Sequence, residues 1–178
     1  FAWSFTYDIP ADALPEGLTV DQLPEDTRAV YDSGEIARFT SSQMHTWVGQ
    51  PVHALLSTQD VLHSFWIPGM RIKQDLLTGR ETDIRFTPIE AGVYRIVCAE
   101  LCGSGHGDMA GSVSETGDLQ GAWLIVHPDE QTFLREFYNP EARTVLFPPE
   151  DPALLGRQIL ASGAYPCAAC HTLSALNW

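Results

Sequence analysis

Hydrophobic and polar positions alternate from the first residue. Phe1, Trp3, Phe5 and Tyr7 interleave with Ala2, Ser4, Thr6 and Asp8, the period of a half-buried strand. Residues 10–35 break the rhythm with Pro, Gly and acidic positions and are expected as a long surface excursion. Strand-like segments then recur near 44–48, 52–57, 61–67, 81–87, 92–98, 111–115 and 121–127, with turn residues such as Pro51, Gly69, Gly79 and Gly117 between them. Many short strands with regular punctuation predict an all-β sandwich or barrel. After His127-Pro128 the texture changes. Asp129 to Tyr138 reads as a short helix with Pro128 at its first turn. Residues 139–152, with Asn139-Pro140, Pro148-Pro149 and Pro152, read as a stiff linker. Beyond it Leu154, Leu155, Gln158 and Ile159 fall at helical spacing. The expected organisation is a β-domain over 1–138, a linker over 139–152 and a helix-led segment over 153–178.

Composition narrows this picture only modestly. An apolar content of 44% with 10% aromatics suits a globular chain and excludes wholesale disorder. The formal charge of -13 and pI of about 4.6 disfavour nucleic acid and anionic lipid, and they favour a basic partner drawn in by long-range steering. No apolar run approaches the roughly 18 residues that cross a bilayer, so any membrane attachment is expected from helices outside this sequence. A start without Met is expected of a processed or shortened chain.

The four cysteines form two close pairs, Cys98/Cys102 and Cys167/Cys170, a spacing that favours metal or cofactor chemistry over a disulfide framework. The first pair lies in Cys98-Ala-Glu100-Leu-Cys102-Gly-Ser-Gly-His106-Gly-Asp-Met109, a Gly-rich loop between two predicted strands. Soft sulfur with imidazole selects copper, and His, Cys and Met together are the electron-transfer copper pattern. A mononuclear blue site uses one Cys; two Cys allow both thiolates to bridge a pair of coppers. Each metal then needs a terminal imidazole, so a second His must come from elsewhere. His63, in Asp60-Val-Leu-His63-Ser64-Phe65-Trp66-Ile67-Pro68, is the candidate, while His45, His53 and His127 lack such surroundings. A local disulfide would leave His106 and Met109 unexplained. A structural zinc site fits poorly, because Met is not a usual zinc ligand.

At these residues the chain resembles cytochrome c oxidase subunit II over about 1–138. It carries His63-Ser64-Phe65-Trp66, Lys73-Gln74-Asp75 with Gly79-Arg80, Gly92-Val93-Tyr94 and the whole Cys98–Met109 loop of that family. The resemblance implies a cupredoxin-like Greek-key β-barrel or sandwich with a dinuclear copper (CuA) centre. Cys98 and Cys102 would bridge the coppers, His63 and Met109 would complete one, and His106 with the Glu100 carbonyl the other. The Glu100 side chain would reach a Mg²⁺ at the boundary with subunit I, the catalytic subunit. Electrons from cytochrome c would arrive through the aromatic strand at Phe1 and Trp3. Here Phe1 replaces the family's usual Trp, which fits an altered donor.

Cys167-Ala-Ala-Cys170-His171 is the C-x-x-C-H pattern of covalent haem c attachment, with His171 as an axial ligand. Only seven residues follow His171, none of them Met, His or Lys. The expectation is a subunit II with a fused cytochrome c domain, of the caa3 type, of which this sequence holds only the start. The donor would then be a tethered or a free basic cytochrome c. The whole would sit at the cell membrane, with this domain on the periplasmic or extracellular side. The alternatives are the CuA domain of another respiratory reductase, such as nitrous oxide reductase, or a metal-free assembly subunit. Glu100 between the cysteines speaks against the first, and the full ligand set against the second. No acid, base and nucleophile arrangement argues for catalysis by this chain alone.

Overall fold

The structure is a computed structural model that describes residues 2–161. Phe1 and the haem-motif residues Cys167, Cys170 and His171 therefore lie outside the described residues. The chain divides into two compact units, one of residues 2–3 with Ser42–Phe133, the other of Ser4–Ser41 with residues 134–161.

The second of these is founded on a two-stranded antiparallel pair, β1 (Phe5–Ile9) and β2 (Ala37–Ser41), registered Phe5 to Ser41 and Ile9 to Ala37. The excursion between them is not structureless. It contains helix α1 (Glu25–Asp32), and the Tyr31 hydroxyl donates to the Ile9 carbonyl at 2.8 Å.

The other unit holds ten strands: β3 (Met44–Trp47), β4 (Val52–Leu56), β5 (His63–Ile67), β6 (Ile72–Leu76) and β7 (Thr82–Phe86), then β8 (Gly92–Arg95), β9 (Val97–Cys98), β10 (Ser112–Val113), β11 (Leu119–Gln120) and β12 (Trp123–His127). The sheet-rich class expected from the strand spacing is what folds. Neighbours are often distant in sequence: β12 runs parallel to β3 and antiparallel to β8, and β5 lies between β6 and β9. Sequence periodicity did not find β2, β6 or β11. In β6 (Ile-Lys-Gln-Asp-Leu) the apolar positions are too few for a clear signal, and the cross-strand partner β5 supplies the order. Phe65, Ile67, Ile96 and Leu124 are fully buried at the centre of the core. A short helix α2 (Glu130–Phe133) closes the unit, with Phe133 packed on Trp47 at 4.8 Å between ring centres.

From Leu134 the chain returns to the unit of β1 and β2. A single π-helical turn, Leu134–Tyr138, brings Phe137 and Tyr138 onto Phe39, which stacks on Tyr7. Helix α3 (Asn139–Leu146) follows, where the sequence reading placed the first part of a stiff linker. Pro140 sits in the first turn, where its missing N–H costs nothing. Ala142 and Leu146, one helical turn apart, are fully buried. Thr27 also donates to the Leu146 carbonyl at 3.1 Å. Helix α4 (Pro152–Ala161) forms where helical spacing predicted it.

Candidate metal centre

Strand β5 is unusual in burying His63, Ser64, Phe65 and Ile67, so both of its faces are covered along most of its length. Two polar side chains in such a place need partners. Ser64 finds one across the β5–β6 ladder, donating to the Asp75 carboxylate at 2.6 Å, and Lys73 adds an ion pair to the same oxygen at 3.1 Å. That contact gives the Lys73-Gln74-Asp75 segment a structural role: it fixes the strand that carries His63.

On its other side β5 pairs with β9, with Phe65 opposite Cys98. One further rung, the Ala99 N–H to the Ser64 carbonyl at 2.8 Å, anchors the start of the loop. The loop then turns through His106 N–H to the Gly103 carbonyl at 3.2 Å, and a 3-10 turn, Gly107–Met109, returns the chain inward. The Gly111 N–H to the Ile96 carbonyl, at 3.0 Å, closes its exit. This exit passes so close to β12 that a Cβ on Gly111 would meet the Ala122 carbonyl and the Trp123 ring. Twelve residues are thus held at both ends by backbone bonds, and their donor atoms converge.

The convergence is tight. His63, Cys98 and Cys102 place their ligand atoms within 4.8 Å of one another, and all three are buried. The two sulfurs are 3.9 Å apart, and His63 Nδ1 lies 3.9 Å from Cys98 Sγ. His106 Nδ1 is 3.4 Å and Met109 Sδ 3.5 Å from Cys102 Sγ. The Glu100 carbonyl sits 3.1 Å from Cys98 Sγ. Every copper-ligand candidate named from the sequence is therefore in one cluster, with Met109 only 3% exposed and His106 half-buried at the rim.

Burial, and then the neighbouring Cys98, push the Cys102 thiol up from its ordinary value. Two adjacent thiolates in a dry pocket need a cation to exist together, and a bound metal supplies it by displacing both protons. Two thiols, two imidazole Nδ1 atoms, a thioether and a backbone carbonyl form a soft set that suits copper. Both cysteines are free thiols, which disposes of the local disulfide.

Trp3 packs edge-on against Phe65 at 5.3 Å and against the His63 ring at 6.1 Å, and it is 9% exposed. Its indole N–H is buried without a hydrogen-bond partner among the described residues. Sequence reasoning missed Asp60, whose Oδ1 lies 2.9 Å from His63 Nε2. The signal was present three positions upstream, in the run Thr58-Gln-Asp60. The His63 contact, with the Thr58 hydroxyl as the leading cause and the Val61 N–H after it, holds the Asp60 carboxyl well below the usual carboxylate range. His45 and His127, set aside in the sequence, pair with each other at 3.0 Å away from this cluster. His53 pairs with Asp83 on the exposed β4–β7 ladder.

A family model described as cytochrome c oxidase subunit II, periplasmic domain, matches residues 1–116. Cytochrome c oxidase subunit 2 of Thermostichus vulcanus is 37% identical over 132 residues, which cover 74% of this chain and 35% of the relative. The same subunit of Synechocystis sp. is 33% identical over 111 residues, 62% of this chain and 33% of the relative. The chain thus spans about a third of the length of the curated relatives it matches. A crystal structure of the periplasmic domain of subunit II of cytochrome oxidase from Bradyrhizobium japonicum aligns with a TM-score of 0.45. Its identity is 20%, and the alignment covers 60% of this chain and 68% of that one.

Proposed function

The chain belongs to the family of cytochrome c oxidase subunit II periplasmic domains, and from that membership we propose that it is the electron-accepting domain of such an oxidase, with a dinuclear copper centre in the Cys98–Met109 loop. The observation that carries this is the convergence of His63, Cys98 and Cys102 within 4.8 Å, with His106 and Met109 beside Cys102. Cys98 and Cys102 would bridge the metals, His63 and Met109 would complete one position, and His106 with the Glu100 carbonyl the other. When bound, the pair of coppers supplies a one-electron store. The chain's own residues keep that store rigid and dry. The backbone bonds at Ala99 and Gly111 fix the loop, and Phe65 with Trp3 covers the His63 side.

Electrons would arrive by way of Trp3 and Phe1 from a basic cytochrome c, drawn by the charge of -13. They would leave to a haem–copper catalytic subunit in the membrane, whose boundary would include the Glu100 side chain and a Mg²⁺. Cys167, Cys170 and His171 would hold haem c in a cytochrome domain fused to this one. That makes a tethered donor the favoured route, because tethering replaces diffusional encounter with a high effective concentration.

Copper titration tests the reading. Two coppers per chain and a delocalised mixed-valence EPR spectrum are expected; a blue mononuclear site or no uptake overturns it. For the donor, transfer in the full-length protein should respond little to salt if tethered. It should fall steeply with salt if a free cytochrome c serves, since exposed charges are screened over about 10 Å at 0.1 M.

A further inference from the structure

Both ring nitrogens of His63 have a neighbour in the structure. Nδ1 faces the Cys98 sulfur at 3.9 Å, and Nε2 faces Asp60 Oδ1 at 2.9 Å. A neutral imidazole carries one proton and exists as two tautomers. Only the form protonated at Nε2 leaves a lone pair on Nδ1 for a metal. From this geometry we infer that Asp60 is the positioning residue of His63, holding it in the Nε2–H tautomer with Nδ1 aimed at the Cys98 sulfur. The inference rests on the copper reading above, and it assigns Asp60 no contact with metal.

The carboxylate is suited to this because it is itself held. Oδ1 accepts from the Thr58 hydroxyl at 2.7 Å and from the Val61 N–H at 2.7 Å. The Thr78 hydroxyl donates to the Asp60 backbone carbonyl at 3.2 Å. An acceptor so fixed demands a proton on Nε2, since a lone pair facing it would be repelled. The imidazole itself is enclosed: His63 is 5% exposed, and the Trp3 edge lies against its ring. A ligand imidazole whose other N–H meets a carboxylate is a stronger donor, which favours the more oxidised metal state.

The test uses the full chain and two variants, Asp60→Asn, which keeps an acceptor oxygen without the charge, and Asp60→Ala, which removes both. In the metal-free chain, ¹⁵N NMR should find His63 as the Nε2–H tautomer in wild type and in Asp60→Asn, and a tautomer mixture in Asp60→Ala. On copper loading, Asp60→Ala should bind roughly 10–100-fold more weakly. Asp60→Asn should stay within about threefold of wild type, on the same scale. Its reduction equilibrium should shift about tenfold toward the reduced form, or 59 mV upward for one electron.

A wild-type Nδ1–H tautomer overturns the inference. So does an Asp60→Ala chain with wild-type tautomer, affinity and potential, and so does Asp60→Asn that loses copper as fully as Asp60→Ala. If wild type shows the Nε2–H tautomer yet takes up no copper pair, the copper reading fails and the tautomer assignment stands.

Discussion

His63 and the His45–His127 pair are imidazoles on strands of one unit, with His63 and His127 buried and His45 half-buried, and the structure puts them to opposite uses. At His63 one nitrogen is tied to a carboxylate and the other is left facing sulfur. At the pair, His45 Nδ1 and His127 Nε2 face each other at 3.0 Å, and the rings stack with Phe133 edge-on to His127. The β3–β12 ladder sets this up by laying Trp47 opposite His127 and His45 opposite Ile125. The lesson concerns the proton. A buried histidine becomes available to a metal when an acceptor takes its N–H and a soft donor stands at the other nitrogen. When another histidine stands there instead, the two satisfy each other and lock strands together.

Substituting the sulfurs should separate the two regions most completely. Cys98→Ser and Cys102→Ser should each abolish the delocalised two-copper EPR signal and lower uptake from two coppers to one at most, while thermal unfolding of the metal-free chain barely moves. A surviving dinuclear signal in either variant would reject the bridging roles.

Next in size is a reciprocal pair of histidine variants. His63→Ala should remove tight copper binding. His127→Ala should leave the copper spectrum intact and destabilise the metal-free chain by about 1 kcal/mol, because the half-buried His45 loses that hydrogen bond. Denaturant titration and EPR on both variants read this directly; a copper spectrum altered in His127→Ala would collapse the distinction.

Acid sharpens the same contrast with a smaller effect. Burial, and after it the charge on His127, push the His45 pKa down from 6.5 to about 3. A histidine held neutral contributes its full stabilisation above the unfolded value and loses it as the pH falls toward the folded one. Stability of the metal-free chain should therefore decline as the pH drops from about 6.5 toward 3, and His45→Leu should flatten that decline. Asp60, also depressed, adds a loss only where unfolded carboxyls begin to protonate, near pH 4. A wild-type profile that stays level between pH 6.5 and 4.5 would count against a neutral His45.

The smallest effect is expected from Met109→Leu. The thioether is a weak axial donor, so copper should remain bound at two per chain with a shifted potential. Voltammetry reads the shift, and loss of copper would mean that Met109 contributes more than tuning.

Local chemistry was legible wherever residues close in sequence share one task. Cys98, Glu100, Cys102, His106 and Met109 lie within one loop, so their spacing alone announced a soft metal site. The alternation of short apolar segments likewise announced strands. Helix α3 was not legible, because Asn139-Pro140 looks like linker chemistry until Ala142 and Leu146 find a buried face. The neighbours of His63 in the sequence set it apart from His45 and His127, but they did not show what holds its ring in place. Cys98 meets His63 only because β9 pairs with β5, and Asp60 reaches Nε2 only because Thr58, Val61 and Thr78 hold the turn before that strand. Sequence decides which donors the chain possesses. Which of them lose water, and which nitrogen keeps the proton, is decided by strand pairing across tens of residues, since burial and hydrogen-bond partners exist only once the strands have met.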